Sequence, residues 1–175
     1  MPSRWRVPAG YACFLAVLAL ARPNARSLFI AFPPALAGEA IRIWASGHIE
    51  KTETLATGGP YAHSRNPLYV GSLLLGIAVG LAAGSLWAVG VIVAYFAAFY
   101  PAVMKEEAAF LRRKFPQEYA AWAKSVPLLL PRPLPAGPRL SVFRWVRVRR
   151  NREWRTLLAL PAVVALLFAR ARLLP

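Results

Sequence analysis

The stretch LYVGSLLLGIAVGLAAGSLWAVGVIVAYFAAFYPAVM, Leu68 to Met104, decides the fold, because it carries no charged residue from end to end. A helix crosses the hydrocarbon core of a bilayer in about 20 residues. This stretch is therefore read as two spans, Leu68 to Gly84 and Leu86 to Met104, joined by a short turn near Ser85. Glycines at 71, 76, 80, 84 and 90 suit helices that approach closely in lipid, where packing rather than the hydrophobic effect drives association.

Outward from this hairpin, three more apolar runs follow the same logic. Val7 to Ala21 is uncharged, near the lower limit for a span, and stops at Arg22-Pro23-Asn24. Its basic start, Arg4 and Arg6, also suits a signal peptide, but a second run beginning at Ser27 favours a helical hairpin. That run, Ser27 to Ala45, holds Pro33 and Pro34, which should kink it. It also holds Glu39 and Arg42, which are costly against lipid and place its end in the interface or a pocket. Thr156 to Ala169 is a last short run that spans only if the bilayer thins or its flanks join the helix. The expected fold is all-α: an integral membrane bundle of about five spans with a cytosolic motif loop and interfacial helices. It is read as one domain over 1–175, with an N-terminal hairpin at 1–46, a core at 47–131 and a basic extension at 132–175.

Composition agrees. The chain is 58% hydrophobic, and 22 Lys and Arg face seven Asp and Glu, for a net charge of +15. Such a charge calls for a polyanion, and the mean hydropathy of +0.43 favours anionic lipid headgroups over nucleic acid. The single cysteine, Cys13, excludes an internal disulfide, and with two histidines no metal site is expected. The oligomeric state stays open. Between Lys105 and Arg155, 13 basic residues face four acids, so this segment is expected in the cytoplasm, on the side of the loop Gly47 to Pro67. Arg22 and Arg26 fall on the other side and weaken the asymmetry slightly. Within Lys105 to Ser125, Leu111, Phe115, Tyr119 and Trp122 form a stripe that reads as interfacial, and Pro116 should divide the segment into two short helices. Prolines at 127, 131, 133, 135 and 138 then make the chain extended.

Chemistry concentrates in two places. The run from Thr57 to Gly71, TGGPYAHSRNPLYVG, sets a cation, an amide, an imidazole and phenols at the mouth of a span. Pro67 holds Asn66 extended, so Arg65, Asn66 and the first helix amides can converge on a carboxylate or phosphate. Contact of Arg65 and His63 with lipid headgroups is the competing reading. The second place is Glu106-Glu107, following directly on the span that ends at Met104. Neighbouring helix positions point about 100° apart, so only one glutamate should enter a given pocket, where it suits an ammonium or ribose hydroxyls. A favourable helix charge is its competing role. Arg42, Trp44, His48 and Lys51 are read as interfacial anchors, and the interruption Asn151-Arg152-Glu153 hints at a pocket wall.

The run from Leu55 to Gly71 resembles the Gly-Pro-Tyr and Arg-His-Pro-x-Tyr-x-Gly signature of the isoprenylcysteine carboxyl methyltransferase family and its phospholipid methyltransferase relatives. Lys105-Glu106-Glu107, Phe110-Leu111, Phe115-Pro116, Glu118-Tyr119 and Val126-Pro127 through Leu130-Pro131 resemble that family's Glu-Glu helix and closing segment, so the resemblance covers about 41–131. It implies a multi-pass membrane enzyme using S-adenosylmethionine at the cytosolic face. Tyr61, His63, Arg65, Asn66, Pro67 and Tyr69 then fall on the first cofactor motif, and Glu106 and Glu107 on the second. The chain departs from the family at Asn66, where histidine is usual; an amide still hydrogen-bonds a carboxylate but brings no charge. The acceptor implied is lipid-like or amphiphilic, and no catalytic base is assigned. A reductase using NADPH, which carries a similar motif, and a nonenzymatic membrane scaffold are the rival readings.

Overall fold

The computed structural model describes residues 2–49, 54–136 and 142–173, with side chains from residue 5 onward. Among these residues the chain is all-helical: α1 (Pro2–Leu20), α2 (Ala25–Ser46), α3 (Pro67–Ala82), α4 (Leu86–Lys114), α5 (Pro116–Ser125), α6 (Trp145–Arg150) and α7 (Trp154–Leu173), with a 3-10 turn at Gly59–Ala62. Helices α2, α4 and α7 are long and apolar enough to cross a membrane, and Trp5–Leu20 and Pro67–Ala82 are shorter apolar helices. The expected bundle of about five apolar helices is thus present.

Three expectations are refined. The final run is not a 14-residue segment: its flanks do join, and α7 extends over 20 residues. Residues 105–114 form no separate short helix but continue the span, giving α4 its 29 residues. The break comes where Pro116 demands it, at Phe115, with Pro116 opening α5.

The chain divides into two compact units. One comprises residues 1–39, 72–102 and 155–175, the other 40–71 and 103–154, so the boundaries fall inside α2, α3 and α4 and at the start of α7. The core of the first unit joins Val17, Ala21, Ala31, Ala82, Ala83, Ala88 and Leu167. Small residues dominate it, as close helix approach in lipid requires. A Cβ on Gly80 would lie 2.8 to 2.9 Å from Val89, backbone included, and one on Gly76 2.8 Å from Ile92, whereas one on Gly90 meets nothing within 4 Å. The helix ends interlock. Asn24 and Ser27 cap α2 reciprocally through backbone-to-side-chain bonds of 2.9 Å, and Ser27 Oγ donates to the Ala82 carbonyl at 3.1 Å. The Arg22 amide donates to the Ala83 carbonyl at 2.6 Å. Gly84, at φ +68°, turns α3 into α4 with no room for a side chain against the Arg22 carbonyl. Arg170, in the last turn of α7, donates to the carbonyls of Ala21 at 2.8 Å and Ala19 at 3.2 Å. The C-termini of α1, α3 and α7 therefore share one end of this unit, an up-and-down order, and Arg170 and Arg172 add to the basic residues there.

The second unit is built around Ala45, Tyr61, Tyr119, Trp122, Val126 and Ala136, with Leu111 and Phe115 packed against them. The aromatic stripe expected at the interface thus turns inward, and α5 spends its apolar face on its own unit.

Candidate functional site

The site is built in the second unit by fastening the motif loop onto the proline-rich segment. Gly59 sits at φ +57°, where a Cβ would run into the His48 ring, so only glycine permits this turn. Pro60 at the start of the 3-10 turn delivers Tyr61 inward, 6% exposed, and its carbonyl accepts from Trp122 Nε1 at 3.0 Å. From there the loop is zipped residue by residue. The Arg65 amide donates to the Pro127 carbonyl at 2.9 Å, Asn66 Nδ2 to the Leu128 carbonyl at 2.8 Å and Ser64 Oγ to the Leu129 carbonyl at 2.8 Å. The Arg132 amide donates to the His63 carbonyl at 3.0 Å, and the Ala136 amide to that of Ala62 at 2.9 Å. A proline-rich segment suits this task, since its extended backbone offers carbonyls without forming a helix of its own.

The fastened loop, α3's first turn, α4's end and α5 enclose a cavity of about 360 Å³. Tyr61, Arg65, Asn66, Pro67 and Tyr69 line it on one side, Glu107 and Lys114 on another, and Leu68, Phe110, Leu111, Phe115 and Trp122 supply apolar walls. Its size and mixed lining are those of a small-molecule site.

Two polar atoms at this cavity stand out. The Tyr61 hydroxyl and Arg65 Nε are buried and have no hydrogen-bond partner among the described residues. Buried polar groups are nearly always satisfied, so two orphans beside one cavity point to a ligand that completes them. The rest of the Arg65 guanidinium is oriented by Nη1 donating to the Tyr119 hydroxyl at 3.2 Å. Opposite charge comes from Glu107, whose Oε2 accepts from the Tyr69 hydroxyl at 3.1 Å. Burial pushes the Tyr61 phenol well above its usual range; Glu107, Glu153 and Tyr69 add to the rise and Arg42 opposes it. Tyr61 therefore stays protonated, a donor at every physiological pH.

The residues expected from sequence are not all brought together. Glu106 is absent from the lining, so of the two adjacent glutamates Glu107 is the one that faces the cavity. His63 also lies outside the lining, with Nδ1 at 2.8 Å from the Arg132 carbonyl. Asn66 lines it, but with its amide nitrogen engaged. Sequence reading placed Phe110 in the family resemblance but not in the site, and missed Lys114 and Trp122; the aromatic stripe was the available signal for Trp122, assigned to the interface instead. It also read Arg42 as an interfacial anchor. Arg42 instead grips Glu153 in a bidentate pair of 2.9 to 3.1 Å, the two side chains 18% and 6% exposed. Beside it Asn151 Nδ2 donates to the Ser46 carbonyl at 2.9 Å and the Arg144 amide to that of Gly47 at 3.1 Å, so the chain beyond the proline-rich segment satisfies the end of α2. His48 is buried, Trp44 partly exposed, and Lys51 lies outside the described residues. Among the described residues no group of three or more His, Cys, Asp or Glu is arranged to hold a metal.

A half-buried cation, a buried phenol and a carboxylate thus line one apolar-walled cavity, built from the paired motifs. Residues 39–118 match the phospholipid methyltransferase family. The match bears out the resemblance carried by the motifs and contains both the run Tyr61 to Tyr69 and Glu106-Glu107. The family match and the apolar helices fit a membrane protein. Among curated proteins, the chain is 41% identical over 105 residues to the cobalt-zinc-cadmium resistance protein CzcN of Cupriavidus metallidurans, covering 59% of this chain and 45% of that protein. It is 34% identical over 105 residues to the nickel-cobalt-cadmium resistance protein NccN of Alcaligenes xylosoxydans xylosoxydans, covering 59% and 46%. The chain thus spans less than half the length of these relatives. No solved structure matches.

Proposed function

We propose that this chain is a membrane-embedded, S-adenosylmethionine-dependent methyltransferase of the isoprenylcysteine carboxyl methyltransferase type. Its acceptor is lipid-like or amphiphilic and presents a carboxylate, an amine or a thiol. The observation that carries the reading is the pair of orphaned donors, Tyr61 hydroxyl and Arg65 Nε, set against Glu107 in one cavity. A ligand with a carboxylate at one end and an ammonium and ribose hydroxyls elsewhere satisfies both sides, and S-adenosylmethionine is such a molecule. Bound there, it would supply a methyl group on a sulfonium, displaced in line by the acceptor.

The chain's own part is to hold and to dry. Arg65 and Tyr61 receive the carboxylate, Glu107 takes the cationic or hydroxylated end, and Phe110, Phe115 and Trp122 exclude water. Dryness favours the transfer, because charge at sulfur is lost as the methyl leaves. A carboxylate acceptor requires no base, and none is assigned. The basic segment 105–155 argues that the cofactor enters from the cytoplasm and that anionic headgroups hold this face, while the acceptor enters from the bilayer. The relatives are named for metal resistance; a part in it for this chain would act through methylation of a membrane component.

Titration of the purified protein with S-adenosylhomocysteine and, separately, NADPH tests the reading. At one hundred times its dissociation constant a ligand stabilises by about 2.7 kcal/mol, visible as a shift in Tm. Stabilisation by S-adenosylhomocysteine alone is expected; stabilisation by NADPH alone would transfer the site to a reductase, and by neither, to a scaffold. Orientation is checked on a Cys13→Ser background, where Gln117→Cys should react only with a reagent that has access from the cytoplasm.

A further inference from the structure

The first unit holds a second cavity, an open groove of about 500 Å³ between the first half of α1 and α4. Arg6, Val7, Gly10, Tyr11 and Phe14 line it from α1, at positions that recur on one helix face, and Tyr95 and Tyr100 line it from α4. Gly10, with no side chain, lets α4 bring an aromatic ring close to α1. The Tyr95 ring lies over it, so that a Cβ on Gly10 would come within 3.1 Å of the Tyr95 hydroxyl, and that hydroxyl donates to the Arg6 carbonyl at 3.0 Å. Tyr95 is fixed from behind by Phe99 at 5.2 Å and Tyr100 at 6.2 Å between ring centroids, and Tyr100 stacks on Phe96 at 3.9 Å. The floor is thus a cluster of aromatic rings in mutual contact.

We infer that this groove is a binding site for one anionic phospholipid, its phosphate on the Arg6 guanidinium and one acyl chain along Gly10 and Phe14. Charge decides the headgroup: among the described residues Arg6 is the one charged residue in the lining, and it is a cation whose planar fork matches phosphate oxygens. Depth decides the class of ligand. Arg6 and Tyr100 each lie some 15 residues along their helices from the turns at 21–24 and 83–85, on the order of 22 Å from that end of the unit. With a long side chain reaching outward, this puts the guanidinium at headgroup level. Tyr11, 69% exposed, and Tyr100 add phenols where amphipathic rings settle. From Arg6 to Phe14 the groove then runs about 12 Å toward the bilayer centre, the direction an acyl chain takes.

The test uses the full chain in detergent, with phosphatidylglycerol and phosphatidylcholine of identical acyl chains as probes, read by native mass spectrometry and by Tm. One phosphatidylglycerol per chain should be retained at least tenfold more strongly than phosphatidylcholine. Arg6→Gln should abolish the difference and Arg6→Lys should restore most of it. Gly10→Leu should reduce retention of both lipids, by filling the space under Tyr95. Equal retention of the two lipids by the wild type, or an unchanged preference in Arg6→Gln, overturns the site. A change of Arg6→Gln from dimer to monomer, with no change in lipid, would make the groove a contact between copies and would equally overturn it.

Discussion

The Tyr69 hydroxyl donates to Glu107 Oε2 across 3.1 Å, tying the first turn of α3 to the last turns of α4 at the edge of the cavity. This bond distinguishes two adjacent glutamates that are alike in chemistry. Glu107→Gln should weaken S-adenosylhomocysteine binding by about tenfold, near the low end for loss of a charge-assisted bond because Glu107 is exposed. Glu106→Gln should leave it unchanged. Isothermal titration of both variants decides the matter, and equal losses would remove Glu107 from its assigned place.

Tyr61 separates stability from binding. Its hydroxyl is buried and unpartnered, so Tyr61→Phe should leave the ligand-free protein as stable or about 1 kcal/mol more stable, yet bind S-adenosylhomocysteine more weakly. A variant that loses stability without losing affinity contradicts the role given to the hydroxyl.

The same residue sets an alkaline limit. Burial raises its folded pKa above the unfolded value of about 10, so folding is unaffected by its ionisation below pH 10 and loses stability as pH rises from there toward the raised value. Wild-type Tm should fall more steeply above pH 10 than that of Tyr61→Phe, and parallel curves would show that the phenol does not titrate there.

Breaking the Arg42–Glu153 pair leaves one charge buried without its partner. Glu153→Ala should cost about 3 to 5 kcal/mol, whereas the joint replacement Arg42→Met with Glu153→Leu should recover most of it. A double-mutant cycle followed by Tm measures the coupling, and additive losses would mean that the pair contributes nothing as a pair.

Two glycines on facing helices should respond oppositely. Gly80→Ala forces Val89 and its backbone away and should destabilise by about 1 to 3 kcal/mol. Gly90→Ala meets open space and should be neutral or gain up to about 1 kcal/mol from helix propensity. Thermal unfolding of the two variants in one detergent gives the comparison.

By itself the sequence determined that the chain is helical and apolar enough for a membrane, where its apolar helices lie, and which two motifs supply residues to the cavity. These features are local: uncharged length dictates a span, Gly84 and Asn24 fix turns, and Pro116 starts a helix wherever the chain folds. Tertiary structure decided what depends on helix phase and on residues remote in sequence. Only packing shows that Glu107 and not Glu106 faces the cavity, since a 100° rotation separates them. Only packing turns Tyr119 and Trp122 from lipid toward Tyr61, because an aromatic stripe looks the same whichever apolar phase covers it. And Arg42 meets Glu153 111 residues away, a pairing that no local pattern encodes, because burial makes each charge require the other.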